Sequence, residues 1–230
     1  MITELDWLSL IIGDLLGKGQ CEVFLDSSAL EEVLQSRKAP RILHLATHGF
    51  FLKDQQLPET RGIGGMVSFT GMDQGFARPP GPRVNLENPL LRSGIALAGA
   101  NRAGSSGQGS DGILTADEVL GLRLRGTELV VLSACETGLG EVKTGEGVFG
   151  LRRAFAQAGA KSMVMSMWSV PDRETQELMV EFYKNILSGK LDRCQALRQA
   201  ALTQKKIVQQ RYGQDNPFFW GAFILVGNPR

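Results

Sequence analysis

The chain has 230 residues, of which 43% are hydrophobic, and its formal net charge at pH 7 is +1. This length suits one large α/β domain with a substantial core. The near-neutral charge argues against a nucleic-acid-binding protein, which typically carries a basic surface. No apolar run approaches the roughly 20 residues of a membrane-spanning helix, and the N-terminus lacks the pattern of a signal peptide.

The chain has three cysteines, Cys21, Cys135 and Cys194, which are widely spaced and odd in number. This arrangement is not typical of a disulfide framework and fits a reducing compartment. The expected localisation is therefore cytoplasmic.

The N-terminal part of the chain predicts short helices and strands. The expected elements are a helix over Glu4–Leu16, a strand at Cys21–Leu25, a helix from Asp26 or Ser27 to about Gln35, and a strand over Arg41–Thr47. Ser28 and Glu31 have the spacing of a capping box. An initial helix is unusual for a doubly wound fold, so we expect a strand, and further domains, upstream of this sequence.

A stretch rich in Gly and Pro runs from about residue 53 to 112. A gap of this length without regular structure is typical of a functional or disordered loop. Within it, Ser93–Gly99 predicts one further strand. Asp111–Leu120 then predicts a turn into a short helix, with Thr115 as N-cap and Glu118 three residues later.

The C-terminal half alternates strands and helices. The expected elements are a strand at Leu129–Leu132, a helix over Val148–Gln157 that stops at Gly159, a strand at Lys161–Met167, a helix from Asp172 to near Gly189, a helix over Asp192–Gln210, and a last strand around Phe218–Val226. The unbroken apolar run at Leu129–Leu132 is typical of a strand buried on both faces. This alternation predicts a parallel sheet with helices on both faces.

The chain has only two histidines, His44 and His48. Within one strand, side chains four residues apart lie about 13 Å from each other, too far to bind one metal ion directly. His44 lies in the middle of a predicted strand, which favours a core position. His48 follows the predicted strand and precedes Gly49, so both a structural role and a catalytic role remain open for it.

Cys135 follows the second apolar strand, just as His48 follows the first. A small buried thiol at a strand end often only fills space. The carboxyl ends of parallel strands meet at one sheet edge, however, where α/β folds place their reacting groups. A neighbouring imidazolium lowers a thiol pKa from about 8.5 to roughly 3.5–7.5, and the N–H groups of Gly49 and Cys135 are candidate oxyanion donors. Cys21 and Cys194 lack such a setting.

Several motifs together resemble the CHAT family of caspase- and separase-like cysteine peptidase domains, which are often fused to tetratricopeptide repeats. The motifs are HLATHG at 44–49, VVLSACETG at 130–138, GEGVFG at 145–150, WSVPD at 168–172 and FWGAFI at 219–224. The resemblance runs from about Asp26 to the end. It implies an α/β fold with a caspase-like, mostly parallel sheet, helices on both faces, and a His–Cys dyad carried onto His48 and Cys135.

The resemblance also implies a single peptidase domain over 1–230 that needs no metal or organic cofactor. Its expected partners are a protein substrate and an activating tetratricopeptide-repeat region or regulatory protein. The sequence departs from the family pattern at Arg61–Leu86, which is longer than usual. His48 and Cys135 are therefore 87 residues apart (135 − 48), against about 50 in caspases.

Two acidic residues are candidates for selecting a basic side chain in the substrate. Asp172 begins a predicted helix beyond a strand end, where a carboxylate is also favoured simply by the helix dipole. Glu136 adjoins Cys135 and has the alternative role of organising its loop. Trp168 is expected to be a packing anchor rather than a pocket wall.

Two other readings of the sequence remain. Gly145–Gly150 matches GxGxxG, but about a dozen residues separate it from the preceding strand, whereas the dinucleotide fingerprint belongs directly after one. The more serious alternative is a catalytically silent caspase-like module that signals by protein association. The predicted function is nevertheless a cysteine endopeptidase.

Overall fold

The computed structural model describes residues 20–51, 89–91, 93–100, 111–133 and 146–230. The predicted helix at Glu4–Leu16 and most of the 53–112 stretch lie outside the described residues. Seven strands and five α-helices lie within them. The strands are β1 (Ile42–Leu45), β2 (His48–Phe51), β3 (Ser93–Ala96), β4 (Ile113–Thr115), β5 (Leu129–Leu132), β6 (Ser162–Ser166) and β7 (Phe223–Gly227). The helices are α1 (Glu31–Ser36), α2 (Ala116–Val119), α3 (Glu146–Ala158), α4 (Asp172–Leu187) and α5 (Arg193–Tyr212).

The main sheet has the strand order β1-β5-β6-β7. β5 pairs in parallel with both β1 and β6, and β7 runs antiparallel to β6. The fold is therefore α/β with a mostly parallel, caspase-like sheet, as the sequence predicts. The strand expected around Phe218–Val226 begins later, because a 3-10 turn at Pro217–Phe219 precedes it.

β5 is the centre of the core, and all four of its residues are buried. Val130 and Leu132 belong to an apolar cluster with residues of α2 and α3. Leu129 and Val131 belong to a second cluster with residues of α4 and α5. Because successive side chains of a strand point to opposite faces, these two clusters place helices on both faces of the sheet.

Helix termini in this part of the chain have local capping signals, of which the sequence predicts those at Thr115 and Gly159. Thr115 accepts a hydrogen bond from the Glu118 N–H, and Asp192 accepts one from Gln195, which places a capping box before α2 and α5. Gly159 has φ of +114° just after α3, a conformation that favours glycine.

A second sheet, with the order β2-β3-β4, is entirely antiparallel. The prediction of a strand at Ser93–Gly99 is confirmed over Ser93–Ala96. The prediction that His48 lies outside strand structure is wrong, because His48 opens β2. β1 ends at Leu45, and the chain passes to the second sheet within two residues.

Two N-terminal predictions are also wrong. Cys21–Leu25 is irregular rather than a strand. The helix expected from Asp26 or Ser27 begins at Glu31 instead, because a 3-10 turn occupies Asp26–Ser28. The Ser28 hydroxyl bonds the backbone of Leu25 in that turn, so Ser28 does not cap α1 with Glu31. No described helix is long and apolar enough to cross a membrane.

Candidate functional site

The carboxyl ends of β1 and β5 are joined directly by a hydrogen bond. The Ser133 N–H donates to the Leu45 carbonyl oxygen at 3.1 Å. His48 lies three residues beyond Leu45, and Cys135 lies two residues beyond Ser133. Cys135 and Glu136 are outside the described residues. The points at which the two chain segments leave the main sheet are therefore adjacent.

His48 is solvent-exposed at the start of β2, opposite Ala96 of β3. The hydroxyl of the preceding Thr47 donates to the Ala96 carbonyl oxygen, which fixes the chain just before His48. The imidazole is thus carried by a paired strand and remains accessible to solvent. An exposed ring on a fixed backbone suits proton transfer to an external group.

The backbone N–H of Gly49 points away from β3. The Leu97 N–H donates to Gly112 on the β4 side of β3, at 2.7 Å. Because successive N–H groups along a strand point to opposite sides, Ala96 faces β2 and exchanges hydrogen bonds with His48. Gly49, opposite Ile95, then forms the non-hydrogen-bonded pair. Its N–H is directed to the side of β2 where no described strand pairs.

His44 lies in β1 and is held through both ring nitrogens. Its Nε2 lies 2.9 Å from Ser133 Oγ, and its Nδ1 lies 3.0 Å from the Tyr183 hydroxyl. The ring stacks on Tyr183 with 5.7 Å between centroids. Desolvation lowers the pKa of His44 to about 4, so the imidazole is neutral at pH 7. The prediction of a core histidine is met in part, because His44 has a structural setting but is only partly buried.

Sequence reasoning missed Tyr183 and Ser133. Tyr183 is buried on α4, beside Phe182. A signal for it existed, because a tyrosine on the apolar face of a helix needs a partner for its hydroxyl. A histidine in the middle of a strand can supply a hydrogen-bond partner for such a hydroxyl.

Asp172 is exposed and is the first residue of α4. β6, which precedes it, lies two strands from β1, about 10 Å across the sheet. Asp172 thus lies at the same carboxyl edge as the ends of β1 and β5, but to one side. Trp168 donates its Nε1–H to the Phe218 carbonyl oxygen at 2.9 Å. Among the described residues, no group of three or more His, Cys, Asp or Glu side chains is placed to hold a metal ion.

Comparison with known proteins identifies relatives of the chain. A family model described as "CHAT domain" matches residues 8–228. Human Tetratricopeptide repeat protein 28 is 36% identical over 116 residues, which is 50% of this chain. The mouse protein of the same name is 35% identical over 116 residues. The matched region spans 4% of the length of each relative.

Proposed function

The chain belongs to the CHAT domain family, and from this premise we propose that it is a cysteine endopeptidase acting through His48 and Cys135. The observation that carries the proposal is the 3.1 Å hydrogen bond between Ser133 and Leu45. It joins the chain segments that lead to the two dyad residues. A cysteine nucleophile needs a base within hydrogen-bond reach, and this junction favours such an approach.

In the proposed reaction, the Cys135 thiolate attacks the scissile carbonyl carbon and the C=O electron pair moves to oxygen. Collapse of this intermediate reforms the carbonyl and breaks the C–N bond, and the amine leaves with a proton from the His48 imidazolium. Water then attacks the thioester, with His48 as base, and releases the acid and the thiolate. The overall change is hydrolysis of one peptide bond.

The proposed oxyanion donors are the backbone N–H groups of Gly49 and Cys135. The orientation of the Gly49 N–H away from β3 supports its part in this proposal. Loss of one such donor costs about 2.7–4 kcal/mol of transition-state stabilisation in a protease of known mechanism. No substitution at Gly49 deletes its N–H except proline, which would also disturb β2.

The proposed substrate is a protein with a basic side chain next to the scissile bond, selected by Asp172 and Glu136. The exposed position of Asp172 at the carboxyl edge of the sheet supports its role. Asp172→Asn is expected to weaken the preference for Lys or Arg in a peptide library while Cys135 alkylation stays unchanged. An unaltered preference would leave Asp172 with only its position in the helix dipole.

The proposed organisation is a single peptidase domain over 1–230, with the 53–112 stretch as an insertion. We propose a cytoplasmic location and activation by a tetratricopeptide-repeat region or a regulatory protein. The tetratricopeptide-repeat relatives support that pairing. Activation predicts that adding the repeat region to the 230-residue chain raises its rate of peptide cleavage.

The pH dependence of cysteine alkylation tests the dyad without a substrate. All three thiols are compared in one sample by peptide mass spectrometry. Burial, together with the neighbouring Glu22, raises the pKa of Cys21, and Cys194 is exposed. Cys135 is expected to react fast below about pH 7 and to lose that advantage in His48→Ala. Equal pH profiles in wild type and His48→Ala would contradict the dyad.

Peptide cleavage tests turnover itself. Wild type, Cys135→Ala and Cys194→Ala are incubated with a cell lysate, and new peptide termini are compared. New termini are expected with wild type and Cys194→Ala but not with Cys135→Ala. Identical products from all three proteins would refute the peptidase and favour the silent signalling module.

A further inference from the structure

We infer that Tyr183, His44 and Ser133 form a positioning chain that fixes the carboxyl end of β5, from which the segment carrying Cys135 departs. The inference rests on the proposed function for its catalytic consequence. It assigns positioning roles, not catalytic ones, to three further residues. It concerns a side-chain link, distinct from the backbone bond between Ser133 and Leu45.

The chain joins helix α4 to strands β1 and β5, which are already paired with each other in the main sheet. Tyr183 comes from α4, His44 from β1, and Ser133 directly follows β5. His44 pairs in register with Val131, and Ser133 lies two residues beyond Val131, on the same face of the strand. Val131 and Tyr183 share one apolar cluster. The polar chain therefore lies at the edge of that cluster.

The proton positions follow from the surroundings of the two rings, of which Tyr183 is buried and His44 is partly buried. Burial raises the pKa of Tyr183 above its ordinary value, so the phenol keeps its proton at pH 7. Within the part of the chain that is described, its hydroxyl is hydrogen-bonded to His44 alone. A buried hydroxyl without an acceptor is costly, so we assign the phenol as donor to His44 Nδ1. The neutral imidazole then carries its proton on Nε2 and donates it to Ser133 Oγ.

This assignment distinguishes positioning from catalysis. Ser133, His44 and Tyr183 have the connectivity of a nucleophile, a base and an orienting group. With Nε2 protonated, however, His44 is a donor to Ser133 and cannot accept its proton. The arrangement therefore orients the Ser133 side chain and does not activate it as a nucleophile.

The test compares variants that break single links. Tyr183→Phe and Ser133→Ala each remove one hydroxyl, and Ser133→Thr keeps a hydroxyl in place. Ser162→Ala is a matched control, because Ser162 Oγ donates to the Glu128 carbonyl oxygen at 2.6 Å, at the opposite edge of the sheet. Tyr212→Phe controls for the loss of a phenol hydroxyl, because the Tyr212 hydroxyl bonds Glu174, although its ring is more exposed than that of Tyr183.

Two measurements are made on the full 230-residue chain. The first is the midpoint pH of Cys135 alkylation, which a merely stabilising residue would not move. In Tyr183→Phe and Ser133→Ala the midpoint is expected to rise toward about 8.5, the ordinary thiol value, with an approximately tenfold slower reaction at pH 7 for each pH unit of that rise. Ser133→Thr, which retains a hydroxyl, is expected to keep the wild-type midpoint, as are the controls Ser162→Ala and Tyr212→Phe.

The second measurement is amide hydrogen exchange in the peptide covering 129–140. It is expected to be at least fivefold faster in Tyr183→Phe than in Tyr212→Phe, at matched distance from each variant's melting temperature. The inference would be overturned if Tyr183→Phe and Ser133→Ala exchanged amide hydrogens in this peptide as slowly as their control variants and kept the wild-type midpoint of Cys135 alkylation. If Tyr183→Phe does not fold, the inference is tested by the same two measurements on Ser133→Ala and Ser133→Thr.

The two proposals fail in different ways. If wild-type Cys135 has an ordinary alkylation midpoint and wild type cleaves no peptide, the proposed peptidase fails, and the exchange measurement alone decides the positioning chain. If wild type cleaves peptides and Tyr183→Phe cleaves them at the same rate with unchanged exchange, the positioning chain fails and the peptidase stands.

Discussion

Arg211, near the end of α5, faces two carboxylates of α4. Its guanidinium contacts Glu174 and Glu177 at 2.6 Å each, and the side chain of Glu174 is only 2% exposed. Arg211→Met keeps an unbranched side chain but leaves Glu174 buried without its cation. Breaking a buried pair in this way costs about 3–5 kcal/mol. The Arg211 side chain is 20% exposed, so we expect the lower end of that range, about 3 kcal/mol.

For a protein of this size, a loss of about 3 kcal/mol lowers the melting temperature by roughly 6–12 °C. Arg173→Met is the matched control, because Arg173 contacts the same Glu177 at 3.3 Å but is 63% exposed. Exposed pairs contribute at most about 1 kcal/mol. Both variants are compared with wild type by thermal and urea unfolding. Equal losses in the two variants would refute the argument from burial.

The pH dependence of the same variant gives a second check. Burial alone would raise the pKa of Glu177, but hydrogen bonds led by the one from Arg211 outweigh it and hold that pKa below 4.5, its ordinary value. A lowered pKa stabilises the fold above the unfolded pKa, and this contribution is lost as pH falls through the folded pKa. Arg211→Met lacks the hydrogen bond that does most to lower this pKa, so its unfolding free energy falls less than that of wild type as the pH is lowered. Its deficit in unfolding free energy should therefore narrow below about pH 4.5, and a widening deficit would contradict the assignment.

Four further substitutions test how local backbone geometry stabilises the fold. Gly94→Ala should lower the free energy of unfolding by about 1–3 kcal/mol, because the new Cβ would lie 2.7 Å from the Phe50 ring in the second sheet; urea titration measures this, and a neutral result would contradict the packing. Gly159→Ala should lower the free energy of unfolding clearly more than Gly189→Ala. Both glycines have positive φ, but only at Gly159 would the new Cβ lie 2.7 Å from a backbone nitrogen. Gly189→Ala is expected to cost about 1–2 kcal/mol of unfolding free energy. Equal melting temperatures in the two variants would contradict the predicted clash at Gly159. Thr115→Ala should cost about 1 kcal/mol by removing the N-cap of α2, and faster amide exchange confined to that helix would identify the cause.

The strands and helices of the C-terminal half could be predicted because their signals are local. The run Leu129–Leu132 is apolar at every position, and all four residues are buried. Asp192 marks a helix start by a side-chain cap that acts over one turn, and Pro171 marks another because its fixed φ suits the entry to a helix. Such signals need no knowledge of distant contacts.

Of the second sheet, only β3 could be predicted as a strand, because β2 and the sheet itself are defined by pairing between remote segments. β2 has the sequence HGFF and pairs with β3, more than 40 residues later. A four-residue segment with glycine has low intrinsic strand preference, so only the partner makes it a strand. The run Cys21–Leu25 shows the converse, because it has strand-like composition but remains irregular.

The positions of the two histidines also depend on pairing between segments that are remote in sequence. His44 and His48 are four residues apart, yet β1 carries the first into the main sheet and β2 carries the second into another. His44 is consequently neutral and held through both ring nitrogens, with its pKa lowered by desolvation to about 4, and it is unsuited to proton transfer at pH 7. His48 is exposed on a paired strand. A single six-residue motif thus places one imidazole in a hydrogen-bonded chain at the end of β5 and the other, exposed, on a strand of the second sheet. The change of sheet between Leu45 and His48 is what separates the two side chains.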